Sequence, residues 1–389
     1  MKKKILFVNG HLGVGGVEKS LVVLLQALDY SKYEVDLLLL ESKGIYSATI
    51  PSSVRVILYE TPKAFGPFIS TICKHLAHLN FSYVLFRLIY VLAPHFGNWM
   101  YKFIRPLLGI RKYYDCAIAY RVGMPNEIAS LVVKAKKKVC WWHNGECYYN
   151  QRQIKHIRDL WRNMDTIVAV SYGCKQMIVE KFSIDKEKVH VIPNIIDIDT
   201  IQQMAGNMNP YSDVASVRIV SLGRLCWEKH LEDVPEIAYN LINKGIQNFK
   251  WYIIGDGVKR EEINAKIRKY HMEDLVIMLG RKENPYPYLK YADMMVHTSY
   301  VEAHCLTLLE AMALKTPCVA VKTVIPQDFT EDGVNCFLAE QNIDSIITNT
   351  IKMIYNNDLY FLVENAYKMV NDCYLSKTII PQVDRIFDV

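Results

Sequence analysis

An α/β fold of two consecutive Rossmann-like domains is what the sequence predicts, and three observations carry that prediction. The chain has 389 residues, 51% hydrophobic and 22% charged, which makes it too long for one ordinary core and too apolar for a disordered chain. Short apolar runs recur along it without polar alternation, as in strands covered on both faces. Amphipathic stretches of helical length separate those runs, the order expected of a parallel sheet built from β/α units.

The first series comprises ILFV (5–8), VDLLLL (35–40), VRVILY (54–59), CAIAY (116–120), VCWW (139–142) and TIVAVS (166–171). It opens on MKKKILFVNG, basic and then apolar like a signal peptide. Only Ile5 to Val8 are continuously apolar, however, so the segment reads as a first buried strand. The second series is RIVSLG (218–223), WYIIGDG (251–257), VIMLG (276–280), MMVHTS (294–299) and PCVAV (317–321), with helices expected over Leu231–Asn243, Lys259–His271 and Cys305–Leu314. Between the series lies the polar MAGNMNPYSD (204–213), which reads as a linker. The expected division is an N-terminal domain over 1–205, a C-terminal domain over 206–370, and a helix over 371–389 packing back on the first domain. Ten cysteines without a CxxC pair argue against a zinc ribbon or a disulfide framework and suit a reducing cytosol.

The net charge of +6 hides an asymmetry. Residues 1–206 carry 27 Lys+Arg against 16 Asp+Glu, and the remainder 19 against 24, so the halves hold +11 and −5. From Thr61 to Tyr114 there is no acid at all, while Lys63, Lys74, Arg87, Lys102, Arg105, Arg111 and Lys112 lie among aromatic and aliphatic residues. The longest apolar part, FSYVLFRLIYVLA (81–93), is shorter than the ~20 residues needed to span a bilayer. A basic, aromatic insertion of this kind suits an in-plane helix at an anionic membrane surface. The alternative is a helical insertion that packs on the first domain and is cationic by chance. Nucleic-acid binding, which a basic half also brings to mind, lacks any recognisable motif.

Residues able to do chemistry concentrate in the second series. In TSYVEAHCLTLLEAM (298–312), Glu302 and Glu310 are eight residues apart, which on one helix places both carboxylates on a shared face. Carboxylates accept well from vicinal hydroxyls, so the pair suits sugar recognition, and backbone N–H groups near Ala303, His304, Cys305 and Leu306 could receive phosphates. A solvated glutamate pair flanking an ordinary amphipathic helix has the same spacing. In VSLGRLCWEKH (220–230), Arg224 and Lys229 follow a strand end, where open α/β sheets bind ligands, and two cations there suit a diphosphate. Gly10, Gly13, Gly15 and Gly16 make the first βα turn permissive without forming a clean GxGxxG. His143 lies just beyond a strand in KKVCWWHNGE (137–146), able to meet a sugar hydroxyl or to be a turn histidine satisfied by backbone. Asp197 and Asp199 form a DxD outside the context in which DxD binds a metal with phosphates, so no metal site and no cofactor are expected.

In order, these elements resemble glycosyltransferase family 4, the retaining GT-B enzymes of glycosyl transferases group 1. The matching pieces are GGVEK (15–19), HN (143–144), VIPN (191–194), GRLCWEK (223–229), IIGDG (253–257), E-x7-E (302–310) with EAM (310–312), and DGVNCF (332–337). The resemblance implies two Rossmann-like domains facing each other across a cleft, the first on the acceptor side and the second holding a nucleotide diphosphate sugar. By position, Arg224 and Lys229 resemble the diphosphate ligands, Glu310 the ribose ligand, Glu302 the donor-sugar contact, His143 the cleft histidine, and Gly15 and Gly16 the loop approaching the phosphate. It implies transfer with retention and without a metal, and a cytoplasmic enzyme peripheral to the inner membrane face through 61–114, using a lipid-linked or glycan acceptor in surface polysaccharide assembly. Two departures stand out. The family's E-G-F reads Glu302, Ala303, His304, Cys305 here, and Gln327 in VIPQDFTEDG (324–333) takes the place of an expected acid. They keep a non-catalytic nucleotide-sugar-binding subunit or sensor open as an alternative.

Overall fold

The computed structural model describes residues 1–388 apart from 42–43, 62–66, 112, 146–148, 213–216, 324–327 and 357. Lys63, Lys112 and Gln327 therefore lie outside the described residues. Two sheets form, and every pairing between their strands is parallel. The first contains β1 (Lys3–Asn9), β2 (Tyr33–Leu39), β3 (Val54–Leu58), β4 (Tyr114–Ala119), β5 (Ala135–Trp142), β6 (Thr166–Ala169) and β7 (Val189–Val191), in the order β3-β2-β1-β4-β5-β6-β7. The second contains β8 (Val217–Leu222), β9 (Phe249–Ile254), β10 (Val276–Gly280), β11 (Met294–His297), β12 (Cys318–Val321) and β13 (Phe337–Ala339), in the order β10-β9-β8-β11-β12-β13.

Burial explains why the apolar runs became strands. Ile5 to Val8 are wholly buried, with Ile5 in register with Val35 on one side and Cys116 on the other. A central parallel strand has no solvent face, so its sequence need not alternate. Both sheets also reverse their direction of growth, the first between β1 and β4 and the second between β8 and β11. Such a switch point leaves a crevice beyond the carboxyl ends of the two strands, where ligands bind.

The chain divides into two compact units: Met1–Ile195 with Ile379–Val389, and Ile196–Thr378. The division falls ahead of the polar stretch at 204–213 because the helix Ile198–Ala205 buries Ile198, Ile201 and Ala205 in the second unit's core. The helix Ser376–Phe387 runs into the first unit, where Phe387 is fully buried against Tyr33 (ring centroids 5.3 Å) and Phe7 (6.1 Å). Tyr33 Oη donates to Asp384 at 2.9 Å, and Lys3 pairs with Asp388 at 2.6 Å.

The acid-free insertion folds as helices Phe68–Ala77 and Phe81–Phe96 followed by a 3-10 turn over Asn98–Phe103. One side packs on the first unit: Phe86, Ile89 and Ala93 are buried, and Tyr59 donates to the Ser82 carbonyl at 3.2 Å. Elsewhere the insertion leaves large apolar groups exposed, among them Ile69 (76%), Leu79 (73%), Phe96 (67%) and Trp99 (58%). Arg111 is committed to structure, pairing with Glu34 at 2.6 Å and with the buried Asp36 at 3.2 Å. No described helix is long and apolar enough to cross a membrane.

Candidate functional site

The second unit's switch point assembles most of the expected residues. Beyond β8 the chain turns through Gly223 and Arg224 into a 3-10 turn, Trp227–Lys229. This loop is bound to the one after β9: Gly223 N donates to Ile254 O (3.0 Å), Leu225 N to Asp256 O (3.0 Å) and Lys259 N to Leu225 O (2.9 Å). The glycines of IIGDG exist for that contact. At Gly255 (φ +150°) a Cβ would lie 1.8 Å from the Gly223 carbonyl oxygen, and at Gly257 (φ +157°) 2.5 Å from that of Leu225.

The loop after β11 closes the other side. Thr298 Oγ1 donates to the Lys229 carbonyl at 2.7 Å, Tyr300 N to the Glu228 carbonyl at 3.0 Å, and the rings of His230 and Tyr300 stack at 3.7 Å. Lys229 Nζ forms a largely buried ion pair with Glu302 Oε1, with Glu302 the more deeply buried partner. His297 Nε2 lies 2.8 Å from the same oxygen and 3.0 Å from Cys305 Sγ. Burial alone would push the Glu302 carboxyl up. The ammonium of Lys229 and the His297 hydrogen bond outweigh it and hold the carboxyl well below its usual range. Lys229 mirrors this: desolvation pushes it down, but Glu302 raises it. Both partners are therefore charged at neutral pH. Arg224, on the same loop, is exposed and makes no ion pair among the described residues.

The E-x7-E pair departs from the expected geometry. The helix begins at Leu306 and ends at Ala313, after Cys305 adopts a left-handed conformation (φ 51°). Only Glu310 is helical, so the two carboxylates do not share one helix face; Glu302 belongs to the preceding loop. Glu310 is buried, as are His304 and Cys305, whereas Ala303 and Leu306 are partly exposed. The His304 side chain turns into an aromatic setting, 5.3 Å from the Tyr374 ring and 6.2 Å from that of Phe329. Among the described residues, neither of its ring nitrogens has a hydrogen-bond partner. Burial pushes its pKa down to about 3, and the Glu302 charge offsets this only in part.

His297 is the site residue that sequence reasoning missed, although it ends an apolar run at a strand terminus. Its nitrogen, a Glu302 oxygen and the Cys305 sulfur lie within 4.8 Å of one another, a nitrogen, oxygen and sulfur donor set of the kind that suits a thiophilic cation. Lys229 already holds the carboxylate oxygen of that set. Asp197 of the DxD caps a helix, accepting from Thr200 N at 3.1 Å.

Gly15, Gly16 and His143 belong to the first unit. Gly15 precedes the helix Gly16–Ala27, and a Cβ there would lie 2.2 Å from Glu18 Oε2. That carboxylate is buried and accepts from Arg121 Nη1 at 2.6 Å, so local packing is sufficient reason for the glycine. His143 follows β5, its ring 4.5 Å from that of Tyr120.

Comparison with known proteins adds an independent line. Glycosyl transferases group 1 matches residues 213–369, and Glycosyltransferase Family 4 matches residues 14–200, together most of the chain. An N-acetylgalactosamine-N,N'-diacetylbacillosaminyl-diphospho-undecaprenol 4-alpha-N-acetylgalactosaminyltransferase of Campylobacter jejuni is 24% identical over 95% of this chain and 94% of its own length. An uncharacterised glycosyltransferase of Methanocaldococcus jannaschii is 25% identical over 47% of this chain and 48% of its own, so the chain spans about half of that relative. Among solved structures, S. aureus TarM with UDP and a GlcNAc-glycerol aligns at a TM-score of 0.74 over 100% of both chains with 15% identity. Anabaena HepE with UDP and glucose aligns at 0.71 over 98% of both with 17% identity. The chain has the GT-B fold and belongs to glycosyltransferase family 4, within glycosyl transferases group 1.

Proposed function

We propose, with membership of that family as the premise, that the chain is a retaining, metal-independent glycosyltransferase. It moves a sugar from a nucleotide diphosphate sugar to a lipid-linked saccharide during surface polysaccharide assembly. The observation that carries this reading is the switch point beyond β8 and β11, where Arg224, without an ion pair among the described residues, shares a loop with Lys229, which pairs with Glu302 of the loop after β11. Arg224 forks onto the diphosphate, and Lys229 adds its charge where the leaving group develops its own. Glu302, already ionised, accepts from donor-sugar hydroxyls while His297 fixes its orientation. Glu310 accepts from the ribose hydroxyls, and His143 keeps the sugar-contacting role that the family resemblance implies.

The bond from the anomeric carbon to the diphosphate breaks while the acceptor oxygen bonds to that carbon on the same face. The acceptor's proton passes to the departing diphosphate. The protein's work is positioning and charge stabilisation. Relatives support the substrate classes: the C. jejuni enzyme's name specifies a diphospho-undecaprenol acceptor, and HepE was solved with UDP and glucose. The exposed apolar groups of the insertion, together with the exposed Lys74 and Lys102, support peripheral contact with anionic lipid at the inner face of the cell membrane.

A non-catalytic nucleotide-sugar-binding subunit is the second reading, favoured by His304 and Cys305 in place of the family's usual residues. Donor hydrolysis and transfer assays separate the two. Under the first, Lys229→Ala and Glu310→Ala abolish donor-dependent transfer while the fold survives; wild-type turnover in both would remove the assignment. Flotation with anionic liposomes tests the membrane component, and absence of binding at low and high salt would sink it.

A further inference from the structure

Strand β11 ends on His297, the loop after it carries Glu302, and Cys305 stands immediately before the helix Leu306–Ala313. Their side chains converge inside the second unit. His297 Nε2 lies 2.8 Å from Glu302 Oε1 and 3.0 Å from Cys305 Sγ, and all three residues are buried. Among the described residues, no other group of three or more His, Cys, Asp or Glu brings its donor atoms within 4.8 Å of one another.

Two of the three donors are fixed by backbone. His297 is in register with Ala320 of β12, and the Cys305 carbonyl accepts from Leu308 N (3.1 Å) and Leu309 N (3.3 Å), which holds its left-handed turn in place. Donors mounted on a strand end and a helix start keep their geometry better than donors on loops. Glu302 is held instead by the side chain of Lys229.

The hydrogens of this cluster do not divide evenly. His297 Nε2 faces both a carboxylate oxygen and a thiol sulfur, yet it carries at most one hydrogen. If it donates to Glu302 it has no lone pair for the thiol, and if it accepts from the thiol it leaves Glu302 to Lys229 alone. A cation at the centre removes the conflict, since each of the three atoms then offers it a lone pair. Zn²⁺ binds nitrogen and oxygen at about 2.0–2.2 Å and thiolate at about 2.3 Å, so its tetrahedral ligands stand about 3.3–3.6 Å apart. The two short contacts to His297 need to widen by only about 0.5 Å to reach that spacing.

We propose that His297, Glu302 and Cys305 form a binding site for a thiophilic divalent cation, with Zn²⁺ the best match, and that this cation competes with the Lys229 ammonium for Glu302. Zn²⁺ takes lone pairs from His297 Nε2, Glu302 Oε1 and the Cys305 thiolate, whose proton passes to solvent, and water fills the fourth position. Lys229 then loses its partner. The cation opposes the transfer reaction rather than serving it, because it withdraws Glu302 from the donor sugar. That consequence rests on the glycosyltransferase reading, whereas the site itself does not.

The experiment reads metal rather than turnover. Co²⁺ is titrated into the reduced protein while the thiolate-to-cobalt charge-transfer absorbance is recorded, and Zn²⁺ affinity is measured by competition with a chromophoric chelator. The wild-type protein develops the band, and Zn²⁺ bleaches it. Cys305→Gly, which suits the left-handed backbone, and Cys305→Ser, which keeps the side chain's size, both lose the band and weaken Zn²⁺ binding by at least about tenfold. Lys229→Met removes the competitor and tightens Zn²⁺ binding by about tenfold or more. No band in the wild type, or a band retained in either Cys305 variant, overturns the site, and unchanged Zn²⁺ affinity in Lys229→Met overturns the competition. A wild-type protein that binds Zn²⁺ in this way but is not thermally stabilised by UDP keeps the site and loses the donor-binding reading.

Discussion

Replacing His304 by phenylalanine tests how the second unit tolerates its departure from the family. The imidazole is 4% exposed, and both ring nitrogens are unpartnered among the described residues. Each such nitrogen costs about 1–3 kcal/mol, while seating a larger ring costs about 1–3 kcal/mol, so stability at pH 7 alone decides little. The decisive quantity is the change with pH. The folded imidazole is pushed down to about 3 from 6.5, so it stays neutral over the range in which the unfolded chain's histidine takes a proton. The unfolded state therefore binds more protons, and the wild-type protein loses stability as pH falls below 6.5. Between pH 7 and pH 5 that loss is about 2 kcal/mol from this residue. His304→Phe should accordingly gain about 2 kcal/mol relative to wild type on going from pH 7 to pH 5. Urea unfolding followed by tryptophan fluorescence measures it, with the buried Trp251 reporting on the second unit. A stability difference that is constant between the two pH values, within about 0.5 kcal/mol, would refute the argument that His304 is held neutral by burial.

Other residues allow equally direct tests. Lys229→Ala leaves Glu302 charged and buried with His297 as its remaining neighbour, and should cost about 3–5 kcal/mol. The double change Lys229→Met with Glu302→Gln should recover most of that, and equal urea midpoints for single and double variants would contradict it. Gly255→Ala drives a methyl against the Gly223 carbonyl, so a loss of at least about 2 kcal/mol in thermal unfolding is expected. Phe387→Ala should cost about 3–5 kcal/mol in the first unit, because its ring is fully buried between Phe7 and Tyr33. A thermal midpoint shifted by under one degree would show that the helix Ser376–Phe387 is not needed there.

Much of the fold was legible because central parallel strands must be continuously apolar. What escaped was short or conformational. Strands β7 (Val189–Val191) and β13 (Phe337–Ala339) lie at sheet edges and have three residues each, too few for periodicity to register. The polar stretch at 204–213 looked like the boundary, but the helix before it carries Ile198 and Ile201, whose burial is settled by the second unit. At the site, residue types and order were readable, so Arg224, Lys229, Glu302 and Glu310 could be named. The pairing of Lys229 with Glu302 could not, because 73 residues separate them and only the adjacency of β8 to β11 brings them together. The left-handed turn at Cys305, which removes Glu302 from the helix, has no sequence signature, since the residue there is not glycine.

The return of residues 379–387 to the first unit carries a consequence for biosynthesis. Phe387 covers Phe7 and Tyr33, yet it emerges from the ribosome only after the whole of Ile196–Thr378. At about 5–20 residues per second, that interval is roughly 10–40 s. During it the earliest strands of the chain wait with an aromatic face uncovered, while the second unit already has every residue it needs. The nascent protein can thus complete its second unit first, and the first unit gains its final aromatic contact only when Phe387 arrives.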